Sequence, residues 1–316
     1  NADAVQIENV TVNILGDSST AYTMYEAGQL DYVGTSAAEW VQKFMARADT
    51  DYVKTYSATV NYAFYNTKDA LFQNANIRRA FNMAVDRADL NEVCFGGRSN
   101  PATGWVTGAM AVGSTNYREY AGDMIAAMYA DAEANGMTAK DYLLKGMEEL
   151  GLGNDPKTLD ITFSLAGTDE WFRTYGEYLQ QTYNTALGID LKISFSDWGI
   201  FSSNLSTGNY QIGYMAWGAY YNDPYDVLSL FMTENDAIST GWSNAEFDAL
   251  VLAAQSEMDE AKRAEKIGKI GDWLSNYGAM VPLYIDTLLT GVGSNVEGLT
   301  LNFNQQHVFT YAYVTE

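Results

Sequence analysis

The chain has 316 residues, with 40 acidic against 18 basic side chains, a formal charge of −22, one histidine and one cysteine. A single cysteine excludes an internal disulfide, and with a single histidine it excludes the usual zinc clusters. So acidic a chain also lacks the clustered Lys and Arg that neutralise nucleic-acid phosphates.

Hydrophobic residues make up 47% of the chain, enough for a globular core and for about two domains of roughly 150 residues. No apolar stretch approaches the ~20 residues of a membrane span. The chain opens Asn1-Ala2-Asp3 without a basic and then apolar leader, and Asn1 and Ala2 read as the remnant of a cleaved affinity tag.

Val10, Val12 and Ile14 alternate with polar residues, which predicts a strand. Helix-compatible stretches follow over 19–30 and 37–48, and Tyr62, Phe64 and Tyr65 predict a short aromatic strand. Over 74–95 the apolar residues Ile77, Ala80, Phe81, Ala84 and Val85 fall at helical spacing, predicting one helix stopped by Gly96-Gly97. Residues 99–113 read as a Gly/Pro/Thr loop too long for a simple turn.

Two helices are predicted between 123 and 150. Leu159, Ile161, Phe163 and Leu165 then alternate as a strand, 169–187 reads as a helix, and Ile189, Leu191, Ile193 and Phe195 alternate again. Strand, helix and strand in that order predict a right-handed crossover and a parallel pair. A further strand is predicted over 212–216, a helix after the capping-box pattern Ser243 to Glu246, a helix over 261–276 and a buried strand over 280–285. The fold class is α/β.

Catalytic signals are sparse. His307 sits in a polar stretch with no Gly-x-Ser-x-Gly elbow in the chain, and reads as a surface or hydrogen-bonded imidazole. Cys94, between Val93 and Phe95, reads as a buried structural thiol. Gly96-Gly97 is a helix stop and no phosphate cradle. Glu148-Glu149 and Asp259-Glu260 read as solvated helix faces. Asp223 and Asp226 flank Pro224 and could serve a glycosidase as an acid pair, but with Asn222 they do not make a calcium loop. No cofactor or metal site is expected.

Aromatic residues are the unusual feature, at 14% of the chain. The densest cluster is Trp217-Gly218-Ala219-Tyr220-Tyr221-Asn222-Asp223-Pro224-Tyr225, directly after a predicted strand. The end of a strand in an α/β sheet is where ligands are usually held, and amphipathic rings suit such a wall. A core cluster capping the sheet is the equal alternative.

At this cluster the chain resembles the family 5 extracellular solute-binding proteins of ABC importers, the oligopeptide- and dipeptide-binding group. The stretch Asn74-Ala75-Asn76-Ile77-Arg78-Arg79-Ala80-Phe81-Asn82-Met83-Ala84-Val85-Asp86-Arg87 is similar to that family's D-x-R-V-R-x-A-x-x-x-A-I-D-R helix. Pro101-Ala102-Thr103-Gly104 is similar to its P-A-x-G loop, and Trp217 through Pro224 to its W-x-A-D-Y-x-D-P loop. Gly241-Trp242-Ser243-Asn244-Ala245-Glu246-Phe247-Asp248 resembles G-Y-S-N-x-E-Y-D, and Pro282-Leu283-Tyr284 resembles I-P-L-Y. Upstream, Glu26-Ala27-Gly28-Gln29-Leu30-Asp31 resembles x-A-G-E-x-D.

The resemblance implies a periplasmic-binding-protein-like, Venus-flytrap fold whose two lobes close over a solute for delivery to a membrane permease, without catalysis. Family members are considerably longer, so the chain is expected to hold a complete second lobe, residues 67–283, and an incomplete first lobe. Residues 1–66 and the C-terminal return, 284–316, would belong to that first lobe. The resemblance places Trp198 and Trp217 on the ligand wall, with Phe172 as a weaker contact and Tyr220, Tyr221, Asn222, Asp223 and Asp286 around them.

Where many peptide binders carry an Asp that pairs with the peptide amino terminus, this chain has Tyr220. That removes a charge-assisted hydrogen bond of ~1.5–3 kcal/mol. An ammonium would then need Asp223, Asp286 or a cation–π contact, while Asp223 is itself expected to brace the turn. The expected solute is a peptide, followed by an oligosaccharide stacking on Trp and Tyr. The expected setting is extracytoplasmic, as a monomer, lipid-anchored in the parent protein and partnered by ABC permease subunits. The other classes weighed are a glycoside hydrolase using Asp223 and Asp226, and a surface adhesin.

Overall fold

The structure is a computed structural model that describes residues 5–15, 17–35, 38–168, 170–278, 280–302 and 307–315. Asn1 and Ala2 lie outside the described residues. The chain divides into two compact units, residues 1–58 with 286–316, and residues 59–285.

In the first unit, α1 (Ser18–Glu26), β1 (Tyr32–Gly34) and α2 (Ala38–Met45) precede the first part of β2 (Thr50–Tyr65). Asp17 caps α1 by accepting from the Ser19 amide. Tyr22, Tyr25, Val33 and Phe44 form its buried cluster, with Tyr25 and Phe44 packed edge to face at 5.0 Å. Val10, Val12 and Ile14 form no strand: they are 52%, 79% and 96% exposed in irregular backbone. Alternation makes a strand only where a neighbour completes the ladder, and no such neighbour lies among the described residues.

The second unit begins with the rest of β2 and continues through α3 (Ala75–Met83), α4 (Arg87–Phe95), β3 (Asn100–Pro101), β4 (Ala111–Val112), β5 (Thr115–Asn116) and α5 (Tyr117–Ala121). Next come α6 (Met124–Ala134), α7 (Ala139–Glu149), β6 (Thr162–Ala166), α8 (Glu170–Leu187), β7 (Lys192–Ser196), α9 (Trp198–Thr207) and β8 (Ile212–Gly218). The short α10 (Pro224–Leu228), α11 (Ala245–Gln255) and α12 (Glu260–Tyr277) lead into β9 (Met280–Gly293), which returns to the first unit. There β10 (Val296–Glu297) pairs with β13 (Tyr313–Val314), β11 (Thr300–Leu301) with β12 (His307–Val308), and β1 with Thr290 to Val292 of β9.

The sheet of the second unit has the order β9-β2-β8-β6-β7, with β3 also on β9. β2 and β8 are antiparallel from Thr59 opposite Gly218 to Tyr65 opposite Ile212, while β6 runs parallel to both β7 and β8. The predicted parallel pair, joined through α8, is therefore present. One core joins Phe163 and Leu165 of β6 to Leu179 and Tyr183 of α8, Ile77 and Phe81 of α3, and Leu143 and Met147 of α7, all fully buried. Gly146 lets α7 lie close on α3: a Cβ there would come within 2.5 Å of Ile77 Cγ1.

The predicted helix over 74–95 is two helices. Asn74 caps α3, and the Asp86 carboxylate accepts from the Ala88 and Asp89 amides at 2.9 and 3.1 Å to start α4. The break turns Arg87 inward, where it donates to the carbonyls of Pro282 at 2.7 Å, Asn82 at 3.2 Å and Val85 at 3.0 Å, and to the Asn82 amide oxygen. Arg78 likewise donates to the Phe72, Gln73 and Gly278 carbonyls.

The stretch over 99–113 is built around Trp105, fully buried between Tyr62 at 4.8 Å and Phe231 at 4.9 Å, with its indole N–H on the Val227 carbonyl at 2.8 Å. The capping-box prediction shifts by one residue. Asn244 caps α11 through the Phe247 amide at 2.9 Å, and Ser243 bonds Thr233 instead.

Candidate functional site

Parallel strands end on one edge of a sheet, so the segments after β6, β7 and β8 emerge together, and ligands of α/β proteins are usually held at such an edge. In this chain all three segments carry large aromatics. After β6, Phe172 is half-buried, and its ring lies where a Cβ on Gly167 would sit. Beside it Trp171, missed in the sequence, is 39% exposed and stacks on Tyr175 at 5.0 Å. After β7, Asp197 caps α9 through the Ile200 amide at 3.0 Å, which sets Trp198 at the first helical position, 60% exposed.

Trp217 stands in β8 opposite Val60, half-buried and edge-on to Tyr220 at 6.3 Å. Its indole nitrogen is enclosed with no hydrogen-bond partner among the described residues. The loop that follows turns Tyr220 and Tyr221 outward, 76% and 47% exposed. Its polar groups point the other way. Buried Asp226 accepts from the Tyr220 amide at 2.6 Å, and the Asn222 side-chain oxygen accepts from the Ala111 amide of β4 at 2.9 Å. Asp223 caps α10 through the Tyr225 amide at 2.8 Å and receives both arms of the Arg263 guanidinium, at 2.7 and 2.8 Å.

The Asp223 bonds raise the Arg263 pKa above its ordinary value, the reverse of what burial alone does to Arg78 and Arg87. Burial first, and then the nearby Asp226 and Asp223 charges, push the Tyr221 phenol upward, so it remains a hydrogen-bond donor at neutral pH. The bracing role expected of Asp223 is present. Both carboxylates of the Asp223 and Asp226 pair are engaged in holding the loop, whereas a glycosidase pair must present its carboxyls to a sugar.

The structure thus brings Trp217, at the end of β8, together with Tyr220, Tyr221, Asn222 and Asp223 of the loop that follows, and topology sets Trp198 and Phe172 on the same edge. Asp286 lies in β9, but its side chain is outside the described residues. Sequence reading gave no signal for Arg263, which sits on a charged helix 40 residues beyond its partner. Trp171 was detectable as an aromatic beside Phe172 at the start of a helix.

The other candidates separate from this edge. Cys94 is half-buried, and burial pushes its thiol up to about 11, which keeps it protonated. His307 meets Tyr32 edge to face at 4.4 Å rather than a hydrogen-bond partner among the described residues, so it is neither a plain surface nor a bonded imidazole. Glu149 is no mere solvated face, since it accepts from the Asn74 and Asn76 amides at 2.8 and 2.9 Å.

Among the described residues no His, Cys, Asp and Glu side chains gather as a metal site, and no helix is long and apolar enough to cross a membrane. An open groove of about 870 Å³ lies at the opposite edge of the sheet, lined by Asn66, Thr162, Ser164, Ser194 and Gln211 among others. Its amides are bonded internally, Asn66 to the Gly208 and Tyr210 carbonyls and Gln211 to Asp69, so it is a solvated seam with little chemistry on offer.

The profile of the bacterial extracellular solute-binding proteins, family 5 Middle, matches residues 1–239. The oligopeptide-binding protein OppA of Bacillus subtilis strain 168 is 27% identical over 315 residues, covering 98% of this chain and 56% of OppA. The dipeptide-binding protein DppE of the same organism is 28% identical, over 94% of this chain and 52% of its own length. The chain therefore spans about half the length of these curated relatives.

Among solved structures, Listeria monocytogenes OppA bound to peptide superposes with a TM-score of 0.75 at 23% identity, over 99% of this chain and 59% of that one. Haemophilus influenzae OppA in complex with RPPGFSPFR gives 0.73 at 20%, over 95% and 57%. At these identities the likeness speaks for the fold, which is that of the OppA-type periplasmic binding proteins. With its profile match, its ordered motifs and this fold, the chain belongs to the bacterial extracellular solute-binding proteins, family 5.

Proposed function

We propose that the protein is the peptide-capturing receptor of an ABC importer, working outside the cytoplasmic membrane as a monomer and delivering its solute to a membrane permease. On this reading residues 67–283 make one lobe, while 1–66 and 284–316 belong to the other, most of which lies in a longer, lipid-anchored parent. The solute rests against Trp217, Tyr220 and Tyr221, with Trp198 and Phe172 beside them, Asn222 and Asp223 bracing the loop, and Asp286 as a further contact.

The observation that carries this reading is the outward pair Tyr220 and Tyr221 on a loop held from within by Asn222, Asp223 and Asp226. Rings held this way offer contact area at low entropic cost, with phenol groups free to bond a peptide backbone. The peptide-binding relatives favour a peptide over an oligosaccharide.

The test is native mass spectrometry of the longer parent protein, beside the 316-residue chain, mixed with a tripeptide library and with a maltooligosaccharide ladder. Retained masses spaced by amino-acid residues are expected; a hexose-spaced series replaces the peptide with a sugar, and steady release of reducing ends makes the protein a hydrolase. Trp217→Ala is expected to weaken retention by about 1–3 kcal/mol, as for a truncated aromatic anchor, with an unchanged melting curve. Unaltered affinity would remove Trp217 from the contact surface.

A further inference from the structure

We infer that Arg263 is the positioning residue of the aromatic loop, and that by occupying Asp223 it makes this wall select against a free ammonium group on the ligand. The inference rests on the receptor reading above and adds the chemical class of ligand end that the loop accepts.

The loop between β8 and α10 has little regular backbone bonding of its own, so its shape is set by side chains reaching in from three places. Asp226 holds its start through the Tyr220 amide, and Asn222 ties its middle to β4 through the Ala111 amide. The end of the loop depends on Arg263. This guanidinium is anchored first to its own layer, with Nε donating to the Ala254 carbonyl at the end of α11 at 3.1 Å. Its two terminal nitrogens then grip Asp223 as a planar fork at 2.7 and 2.8 Å, a geometry that fixes direction as well as distance.

The pair is largely withdrawn from solvent, with side-chain exposures of 17% for Arg263 and 28% for Asp223. Asp223 Oδ1 also accepts the Tyr225 amide, so one carboxylate couples the helix cap to the guanidinium.

Two consequences follow. Rotation of the loop would require breaking both arms of the fork, so the outward placement of Tyr220 and Tyr221 is held by a residue that itself faces the helical layer. The second is electrostatic. With Asp223 neutralised by Arg263 and Asp226 turned toward the Tyr220 amide, the loop presents rings and phenol groups to a ligand and withholds both carboxylates. A neutral peptide end, such as an acylated amino terminus or an internal peptide unit, fits that surface. A free ammonium would lose water there and gain no counter-charge.

The experiment uses the 316-residue chain as wild type, Arg263→Met, Arg263→Lys and Asp223→Asn. Hydrogen exchange of the ligand-free proteins is followed over segments containing residues 219–226 and, as an internal control, 162–166. Affinities for Ala-Phe-Ala and N-acetyl-Ala-Phe-Ala are measured in parallel by calorimetry.

Arg263→Met is expected to speed exchange over 219–226 by about tenfold, the scale of one lost charge-assisted hydrogen bond, while 162–166 keeps its rate. It is also expected to shift the affinity ratio toward the free-amine peptide by several-fold, because the freed Asp223 becomes available. Asp223→Asn, which loosens the loop without freeing a charge, should speed exchange but leave the ratio at its wild-type value. Arg263→Lys should recover the ratio and only part of the protection.

Unchanged exchange in Arg263→Met would overturn the positioning role. Faster exchange with an unmoved ratio, in proteins that bind, would overturn the selectivity. If wild type binds neither peptide, the selectivity of this wall is overturned, while the exchange rates still decide the positioning.

Discussion

At the start of α4, Arg87 is 5% exposed and donates to uncharged oxygens of Pro282, Asn82 and Val85; at the loop after β8, Arg263 grips a carboxylate. The first guanidinium bonds the Asn82 and Val85 carbonyls beside the break between α3 and α4 and the Pro282 carbonyl of β9, and burial lowers its pKa. The second answers to Asp223, which raises its pKa. Equivalent chemistry therefore does two jobs. In the helical layer it supplies donors to buried carbonyls, so its loss destabilises; at the edge it fixes a direction, so its loss reorients.

The largest effect expected from this contrast is on stability. Arg87→Met removes several buried hydrogen bonds at once and should cost about 3 kcal/mol, or roughly 6–12 °C in Tm for a unit of this size. A calorimetric scan showing a shift under a few degrees would break the contrast. Asp223→Asn keeps an acceptor for the Tyr225 amide and loses only the ionic component of a partly exposed pair, so about 1 kcal/mol is expected from urea unfolding. A loss equal to that of Arg87→Met would make the loop part of the core.

The smallest effect concerns His307, an ionisable ring with no charged partner among the described residues. Burial lowers its pKa from 6.5, so the folded chain holds its proton less tightly than the unfolded one. Stability is then full above that value and falls as pH drops below 6.5, where the unfolded chain takes up the extra proton. Because the chain has one histidine, its imidazole gives an unambiguous NMR titration. A midpoint below 6.5 is expected, and one above it would contradict the burial.

Legibility in the sequence followed how local each determinant is. The β6, α8 and β7 unit was readable because Ile161, Phe163 and Leu165 alternate within a few residues and all three are fully buried. The helix over 74–95 was misread because apolar spacing continues across Ala84 and Val85, while the break depends on an Asp86 cap and on Arg87 finding acceptors as distant as Pro282. Val10, Val12 and Ile14 show the converse, a correct period without a ladder.

At the site, aromatic density after a strand pointed to Trp217 and Tyr220. Asp223 was legible as a brace for its turn, but Arg263 was not, because nothing local ties a residue of α12 to a carboxylate 40 positions earlier. Trp105 was hidden inside what read as a loop, since a lone tryptophan among Gly, Pro and Thr carries no period.

Residues 59–285 form one uninterrupted stretch that enters through β2 and leaves through β9, neighbours in the same sheet. Chain ends that share a sheet suit a segment to transplantation, because a host need supply only two nearby attachment points. The second unit can therefore be treated as a cassette: spliced into the surface loop of a fluorescent or enzymatic carrier, it would carry the exposed Tyr220 and Tyr221 with it.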